Sequence, residues 1–444
     1  MTYPLSAIQD LAAERKSALA TGPFGSSIGR KTFQDHGVPV IRGSNLSEAV
    51  GLRLNDSGLV FIDPSLADKF SRSKAVRGDL VFTCWGTVNQ VGLIDECSEY
   101  EEYIVSNKQM KLSSDPEKAD PLFLYYYFSS PLGQQAIADN TIGSSVPGFN
   151  LTALKSIRVP NPPLEVQRGI SQLLGSLDDK IELNRRMNET LEEMARALFR
   201  DWFVDFGPTR RQMEGATDPA AIMGHAFPPE KAATLAPLFP AKLGDDGLPE
   251  GWEERPLDEI GHFLNGLALQ KFPAQDGKSD LPVIKIAELR NGVTAKSNRA
   301  STDVPDKYVI GNGDFIFSWS GSLIAKFWTG GAGALNQHLF KVTSESHPMW
   351  FVSEWVQTHL EEFQRIAASK AVTMGHIKRS HLAEAMCVCP DDDALTVFGE
   401  IFNPLISKQI ANDEENQTLA EMRDLLLPKL MSGEICLKDT GAEV

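Results

Sequence analysis

Apolar residues recur at alternating spacings of four and three through Leu177, Ile181, Leu191, Ala195, Leu198 and Trp202, with Asn184 and Asn188 completing the same seam. That period predicts a long amphipathic helix over about 163–203. Leu405, Asn412, Asn416, Leu419, Leu426 and Leu430 fall at matching positions later in the chain and predict a second long helix, although Gln409 and Arg423 interrupt its strict seam. If the two lie antiparallel about a pseudo-two-fold axis, Asn184 and Asn188 can meet Asn412 and Asn416 near the crossing point. An Asn layer there would fix register and direction at some cost in stability. The same positions would also suit solvent-facing Asn where packing is loose.

Elsewhere the pattern is shorter. Apolar runs at 79–83 and 314–319, punctuated by Gly, Ser and Asn, predict strands, and stretches 121–138 and 350–367 predict helices. Residues 206–250 carry Pro208, Pro219, Pro228, Pro229, Pro237, Pro240 and Pro249 with little periodicity, which predicts an irregular connector. Residues 335–342 read as one strand after the glycine-rich turn Gly330-Gly-Ala-Gly333.

The elements come twice. Val38-Pro-Val-Ile-Arg42 resembles Leu281-Pro-Val-Ile-Lys285, and Gly78-Asp-Leu-Val-Phe82 resembles Gly313-Asp-Phe-Ile-Phe317. Asn107-Lys-Gln109 loosely matches Asn336-Gln-His338, and Asn188-Glu-Thr-Leu-Glu-Glu-Met194 matches Asn416-Gln-Thr-Leu-Ala-Glu-Met422. The offset shrinks steadily along the chain, as loop deletions in one of two copies would make it. Each copy is a mixed α/β region followed by a long helix.

With 444 residues there is room for two or three domains. The net charge of −16 argues against binding nucleic acid mainly through a basic surface. Half of that charge falls in 391–444, however, which leaves both repeated regions nearly neutral. No apolar run approaches the ~20 residues of a membrane span, and no signal peptide pattern opens the chain, so a cytoplasmic protein is expected.

Catalytic motifs are missing. There is no Walker-type phosphate loop, HExxH or GxSxG, and the eight His are dispersed. Cys84, Cys97, Cys387, Cys389 and Cys436 are too scattered for a disulfide framework; Cys387 and Cys389 suit one face of a buried strand better than a metal site. Asn161-Pro-Pro-Leu164 is close to the Asn-Pro-Pro-aromatic tetrapeptide of amino-methyltransferases, but Leu164 cannot stack on a base, and proline at a helix entrance explains it better. Gly330-Gly-Ala-Gly333 opens no helix and so is no nucleotide fingerprint.

What remains suits DNA recognition. In the first copy Arg42, Ser44, Asn45, Trp85, Thr87, Asn89, Gln90, Asn107, Lys108 and Gln109 cluster around the repeated strands. The second copy offers Lys285, Trp319, Ser320, Ser322, Lys326, Asn336, Gln337, His338, Lys378 and Arg379. Arg and Lys donate to guanine edges or phosphates, and Asn and Gln make bidentate contacts to adenine. Each residue alone is explained as well by turns or core packing.

The chain resembles the specificity subunit of type I restriction-modification enzymes. The likeness is carried by Gly22-Pro-Phe-Gly-Ser26, Val40-Ile-Arg-Gly-Ser-Asn45, Gly78-Asp-Leu-Val81, Ile157-Arg-Val-Pro-Asn-Pro-Pro-Leu-Glu-Val-Gln167 and Leu177-Asp-Asp-Lys-Ile-Glu-Leu-Asn184. It continues in Asn188-Glu-Thr-Leu191, Leu248-Pro-Glu-Gly-Trp252 and Leu427-Pro-Lys-Leu-Met-Ser-Gly-Glu-Ile435. The second copy lacks the Pro-Pro-Leu-Glu-Val-Gln sequence and has Pro390-Asp-Asp-Asp-Ala-Leu395 instead.

The resemblance implies an α+β protein in which two mixed α/β target recognition domains stand in pseudo-two-fold arrangement, separated by two long antiparallel coiled-coil-like helices. Its expected divisions are recognition domains at 1–160 and 251–390, helical regions at 161–206 and 391–432, a linker at 207–250 and a tail at 433–444. It further implies a chain that catalyses nothing, binds no metal or cofactor, and reads one half of a bipartite interrupted double-stranded DNA site with each domain. The implied partners are two methyltransferase (modification) subunits, which carry S-adenosylmethionine and methylate adenines, and two restriction (translocase) subunits using ATP and Mg. The competing readings are a self-sufficient adenine DNA methyltransferase and a coiled-coil scaffold without a DNA role.

Overall fold

The computed structural model describes residues 3–25, 27–143, 147–369 and 375–436. Ser26 of the first family motif and the end of the expected tail lie outside the described residues. The chain is mixed α+β and divides into two compact units, one comprising residues 1–181 with 418–444 and the other residues 182–417.

Each unit contains two four-stranded sheets with the same strand order. In the first unit Leu19–Thr21, Gln109–Ser113, Asp79–Thr83 and Val91–Leu93 form one antiparallel sheet. Val60–Ile62, Val38–Ile41, Glu102–Val105 and Lys74–Val76 form the other, with a parallel pair at its centre. In the second unit the corresponding sheets are His262–Asn265, Leu339–Thr343, Phe315–Ser318, Ala325–Phe327 and Arg299–Ser301, Asp280–Ile284, Gly333–Leu335, Val309–Ile310. The repeat seen in the sequence is thus a repeat of topology.

The shared Gly-Asp sequence has a common physical cause. Gly78 and Gly313 sit at φ +86° and +87°, where a side chain would be strained. The Asp that follows reaches back to the turn: Asp79 accepts from the Val76 amide at 3.1 Å and Asp314 from the Gly311 amide at 2.8 Å. Each also pairs at 2.8 Å with a lysine on the neighbouring strand, Lys111 or Lys341. Asp79 and Lys111 are both buried. A buried charge persists only with such a partner, which locks the turn to the sheet.

The expected helices are present with shifted limits. Residues 121–138 form two helices, Pro121–Ser129 and Pro131–Asp139, because Pro131 has no amide to continue the first and Ser130 caps the second. The stretch around 350–367 is one helix, Met349–Ser369. The first long helix runs Leu164–Phe199 and ends in a π-helical turn, Arg200–Val204, that drives Trp202 and Phe203 into an aromatic core. There Phe203 stacks on Trp252 and Trp350 on Phe402 at centroid distances of 5.7 and 4.5 Å. The second long helix runs Asp392–Ser432.

Asn161-Pro-Pro-Leu164 is the entrance to the first long helix. Gln167, almost fully buried, donates to Asn161 Oδ1 and to the Pro162 carbonyl, and accepts from the Asp120 amide. A glutamine that satisfies three groups at a helix start leaves this tetrapeptide no free asparagine for a base. In the second copy Asp391 caps its helix through the Ala394 amide, so the missing Pro-Pro-Leu-Glu-Val-Gln sequence is replaced by ordinary capping.

Two expectations are corrected. The proline-rich stretch after the first long helix is ordered: it forms Gly207–Met213, Pro219–Ile222 and Pro229–Leu235, whose Ile222, Leu235 and Phe239 join the aromatic core. Three of its prolines start helices, where a missing amide costs nothing. Residues 335–342 are not one strand; Asn336, Gln337 and His338 form a turn between Gly333–Leu335 and Leu339–Thr343.

Within the second unit the two long helices pair antiparallel through polar side chains. Asn184 Nδ2 donates to Asn416 Oδ1 at 3.0 Å and to Glu415 at 2.7 Å. Asn412 Nδ2 donates to Asn188 Oδ1 at 2.8 Å, and Asn188 Nδ2 to Asp413 at 2.8 Å. Asn184 and Asn412 are wholly buried, so the solvent-facing alternative does not hold for them. In the first unit the same two helices meet through Asp178 and Arg423 at 2.7 Å, with Tyr126 donating to the same carboxylate at 2.6 Å.

Beside the Asn layer lies a cavity of about 280 Å³ bounded by Asn188, Glu192, Arg196, Lys326, Glu354 and Asp413. Burial pushes the Glu354 carboxyl up to about 7, with Glu192 reinforcing the shift and Arg196 opposing it. Because the folded state holds this proton more tightly than the unfolded chain, stability should fall as pH rises from about 4.5 to about 7. Glu354→Gln is expected to reduce that slope, by up to roughly 3 kcal/mol by linkage, in urea unfolding followed across this range; burial also raises the Glu192 and Asp413 carboxyls, which keep the remainder. A second test concerns the Asn layer. Replacing Asn184, Asn188, Asn412 and Asn416 together by Leu should raise stability by roughly 1–3 kcal/mol and broaden the single distance between spin labels at Glu193 and Ser407. A distance as sharp as the native one would remove the register role.

Candidate nucleic-acid interface

In the first unit, the loops that leave the repeated strands converge on an open cleft of about 560 Å³. Arg42, Ser44, Trp85, Thr87, Gln90, Asn107, Lys108 and Gln109 all line it. Arg42 follows the strand Val38–Ile41; its guanidinium donates to the Gly58 carbonyl at 2.8 Å and lies over the Phe33 ring. Gln90 is held by Thr83, at 3.1 Å, and by the Leu46 carbonyl. Gln109 accepts from the Ser106 hydroxyl and is almost wholly buried. Trp85, Thr87, Asn107 and Lys108 are exposed. The cleft therefore has a floor of fixed amides and a rim of an aromatic ring, a cation and small polar groups, which is the mixture that reads base edges and phosphates.

Two residues singled out in the first copy do other work. Asn45 is buried, accepts from the Arg42 amide and donates to the Asn55 and Ser57 carbonyls, so it shapes the turn that presents Arg42. Asn89 is half-buried, and its carbonyl accepts from Gln134.

The second unit brings Trp319, Ser320, Asn336, Gln337, His338 and Arg379 together. Ser320 Oγ and His338 Nδ1 are 2.9 Å apart. Trp319 donates through its indole to Asn265 at 2.9 Å and to the Gln337 carbonyl at 3.1 Å. Asn336 Nδ2 donates to Gln337 Oε1. Arg379 donates to the Phe263 carbonyl and stacks over Phe340. His376, absent from the sequence-based set, packs edge-on to Trp319; nothing in its spacing singled it out.

Four residues of that set stand apart. Lys326, on the edge strand Ala325–Phe327, lines the cavity beside the long helices with Glu192 and Asp413. Lys285 bonds to Asn298. Ser322 lies exposed on the turn after Phe315–Ser318, its carbonyl accepting from Ser318, and Lys378 is exposed ahead of the helix Arg379–Glu384.

Backbone bonding also corrects the register of the repeat. The Gln109 amide donates to the Ser106 carbonyl, and the Leu339 amide makes the same bond to the Asn336 carbonyl. Asn107 therefore corresponds to Gln337 and Lys108 to His338, one place off the sequence match. By the same criterion the bridges Trp85–Gly148 and Ser320–His376 make Trp85 the counterpart of Ser320. Matching backbone positions thus present tryptophan, asparagine and lysine in one unit and serine, glutamine and histidine in the other. Two surfaces of one scaffold with different donor and acceptor patterns suit two different sequences.

The family model described as type I restriction modification DNA specificity domain matches residues 31–193 and again 249–421. The HindI specificity subunit of a type I restriction enzyme from Haemophilus influenzae is 26% identical over 379 residues, covering 76% of this chain and 82% of that protein. The MjaIX specificity subunit from Methanocaldococcus jannaschii is 24% identical, covering 71% and 69%. Among solved structures, the S subunit of a type I restriction-modification system from M. genitalium has the same fold, with a TM-score of 0.55 at 15% identity, covering 97% of this chain and 96% of that one. No helix among the described residues is long and apolar enough to cross a membrane. Two matches to one family model, falling on the two copies of one topology, place this chain in the type I restriction-modification DNA specificity subunit family.

Proposed function

We propose that this chain catalyses nothing itself and reads a bipartite, interrupted double-stranded DNA site, one half with each recognition module. The observation that carries this reading is the duplicated module with different side chains at matching backbone positions of its two faces. The paired long helices, with a register fixed by buried polar groups, serve as the spacer. Separation along B-DNA is coupled to rotation around it, so a rigid spacer selects one half-site distance.

The reading extends to a cytoplasmic complex. Two modification subunits dock on the helical regions and supply S-adenosylmethionine for adenine methylation; restriction subunits add ATP- and Mg-dependent translocation and cleavage. The acidic C-terminal region carries half of the charge excess and lies away from the near-neutral reading faces in sequence, which suits partner contact better than phosphate contact. Partner subunits then contribute much of the phosphate attraction.

Methylation mapping across the genome, with and without this chain, is the direct test. Loss of one bipartite adenine-methylation pattern is expected; an unchanged methylome would overturn the proposal. In the assembled complex, Lys108→Ala should lower the slope of log affinity against log salt by about 1 if the amine meets a phosphate. An unchanged slope would remove Lys108 from the phosphate-contacting set.

A further inference from the structure

Phe24 is the most exposed large apolar residue among the described residues, at 86% of its full accessibility. An isolated exposed leucine or phenylalanine needs no explanation, but this one is presented by a braced loop. Gly22 lies so close to the neighbouring strand end that a Cβ there would stand 1.9 Å from the Ser106 carbonyl oxygen. Its amide bonds to the Gln109 carbonyl at 3.0 Å. Asn107 then reaches across to donate to the Gly25 carbonyl at 2.9 Å, and Ser27 donates to the carbonyl of Phe24 itself at 3.0 Å. Gly25, at φ +68°, makes the bend that a side chain would resist. Pro23 fixes its own φ.

The residues that brace the loop are those of the reading cleft. Ser106, Asn107 and Gln109 line it, so Phe24 stands at its edge on a stem built from the cleft's own floor and rim. The second unit lacks this feature. Gly266 bonds to the Leu339 carbonyl as Gly22 does to Gln109, which puts Ala268 at the place of Phe24. Ala268 is only partly exposed, and Leu269 after it is buried. The aromatic belongs to one module alone.

We infer that Phe24 is a wedge that enters the DNA at a base step of the half-site read by the first module, unstacking it, while the second module reads its half-site without one. This rests on the DNA-reading function proposed above. A phenyl ring has no hydrogen-bonding groups with which to read a base edge, but it recovers its hydration cost by stacking between bases or filling a groove. Apolar wedges on rigid stems beside polar reading groups act on DNA in this way. Because unstacking is easiest at flexible pyrimidine–purine steps, the wedge would add sequence preference at a position without any base-edge contact.

The test uses the complex of this chain with its modification subunits and a duplex carrying the site found by methylation mapping, with 2-aminopurine placed in turn at each suitable position. The wild-type complex is expected to raise fluorescence several-fold at one step in the first module's half-site and at none in the other. Phe24→Ala should abolish the rise and weaken binding about ten-fold, as loss of one stacked aromatic does; Phe24→Leu should keep part of both. Since Phe24 is exposed, the melting temperature of the variants should match the wild type, which separates the effect from misfolding. If the wild-type complex binds the duplex but Phe24→Ala changes neither affinity nor fluorescence, the wedge is wrong and the DNA-reading function stands. If the wild-type complex does not bind the duplex, both fall. If Phe24→Ala instead weakens assembly with the modification subunits in the absence of DNA, the ring is a protein contact and the wedge is overturned.

Discussion

The constraint on which the rest turns is the pairing of the two long helices, which within the second unit runs through polar groups with few permitted partners. Asn184 meets Asn416 and Asn188 meets Asn412, with Glu415 and Asp413 accepting from the same amides. A slip of one turn could re-form at most one of the two amide pairs, and each buried donor left unpaired would cost about 1–3 kcal/mol. Apolar seams alone tolerate such slips much better. Even the native arrangement is not free, since Oδ1 of Asn184 and of Asn412 is buried without a partner. A protein that accepts this cost gains one pairing over its alternatives, which is what a spacer between two reading surfaces requires.

A second, local version of the same device holds each reading surface. The Asp79–Lys111 and Asp314–Lys341 pairs tie a glycine turn to the neighbouring strand at equivalent places. One turn further along the same strands come the loops that carry Trp85 with Lys108, and Ser320 with His338. The scaffold pairs are charged in both units, and buried in the first, while the presented side chains differ freely. Recognition can therefore change without disturbing the frame that holds it.

Much of this was legible in the sequence because it depends on periodic or repeated signals. The heptad seam marked both long helices and picked out the four Asn, and the Gly-Asp repeat marked the duplicated sheets. What was not legible depends on contacts distant in sequence. The proline-rich stretch after the first long helix looked irregular because its helices are short and its apolar residues answer to an aromatic core supplied by Trp252, Trp350 and Phe398. Lys326 was singled out because a lysine can donate to guanine edges or phosphates, yet it lines the cavity beside the long helices. Asn107 was matched to Asn336 on identity, whereas the hydrogen bonds of the turn, invisible in one sequence, match it to Gln337.

The charge distribution then acquires a structural sense. A reading surface that was strongly basic would hold any DNA, and specificity would have to be recovered against that background. Here each candidate surface offers few cations: Arg42 is already engaged by the Gly58 carbonyl, and Arg379 by that of Phe263. Their remaining donors can satisfy a base edge or phosphate only where geometry permits. Low indiscriminate attraction, fixed amides and a fixed helix register all act in one direction: they lower affinity for the wrong sequence and the wrong spacing more than for the right one. In a chain organised in this way, discrimination is the part of the work that its own residues are shaped to do.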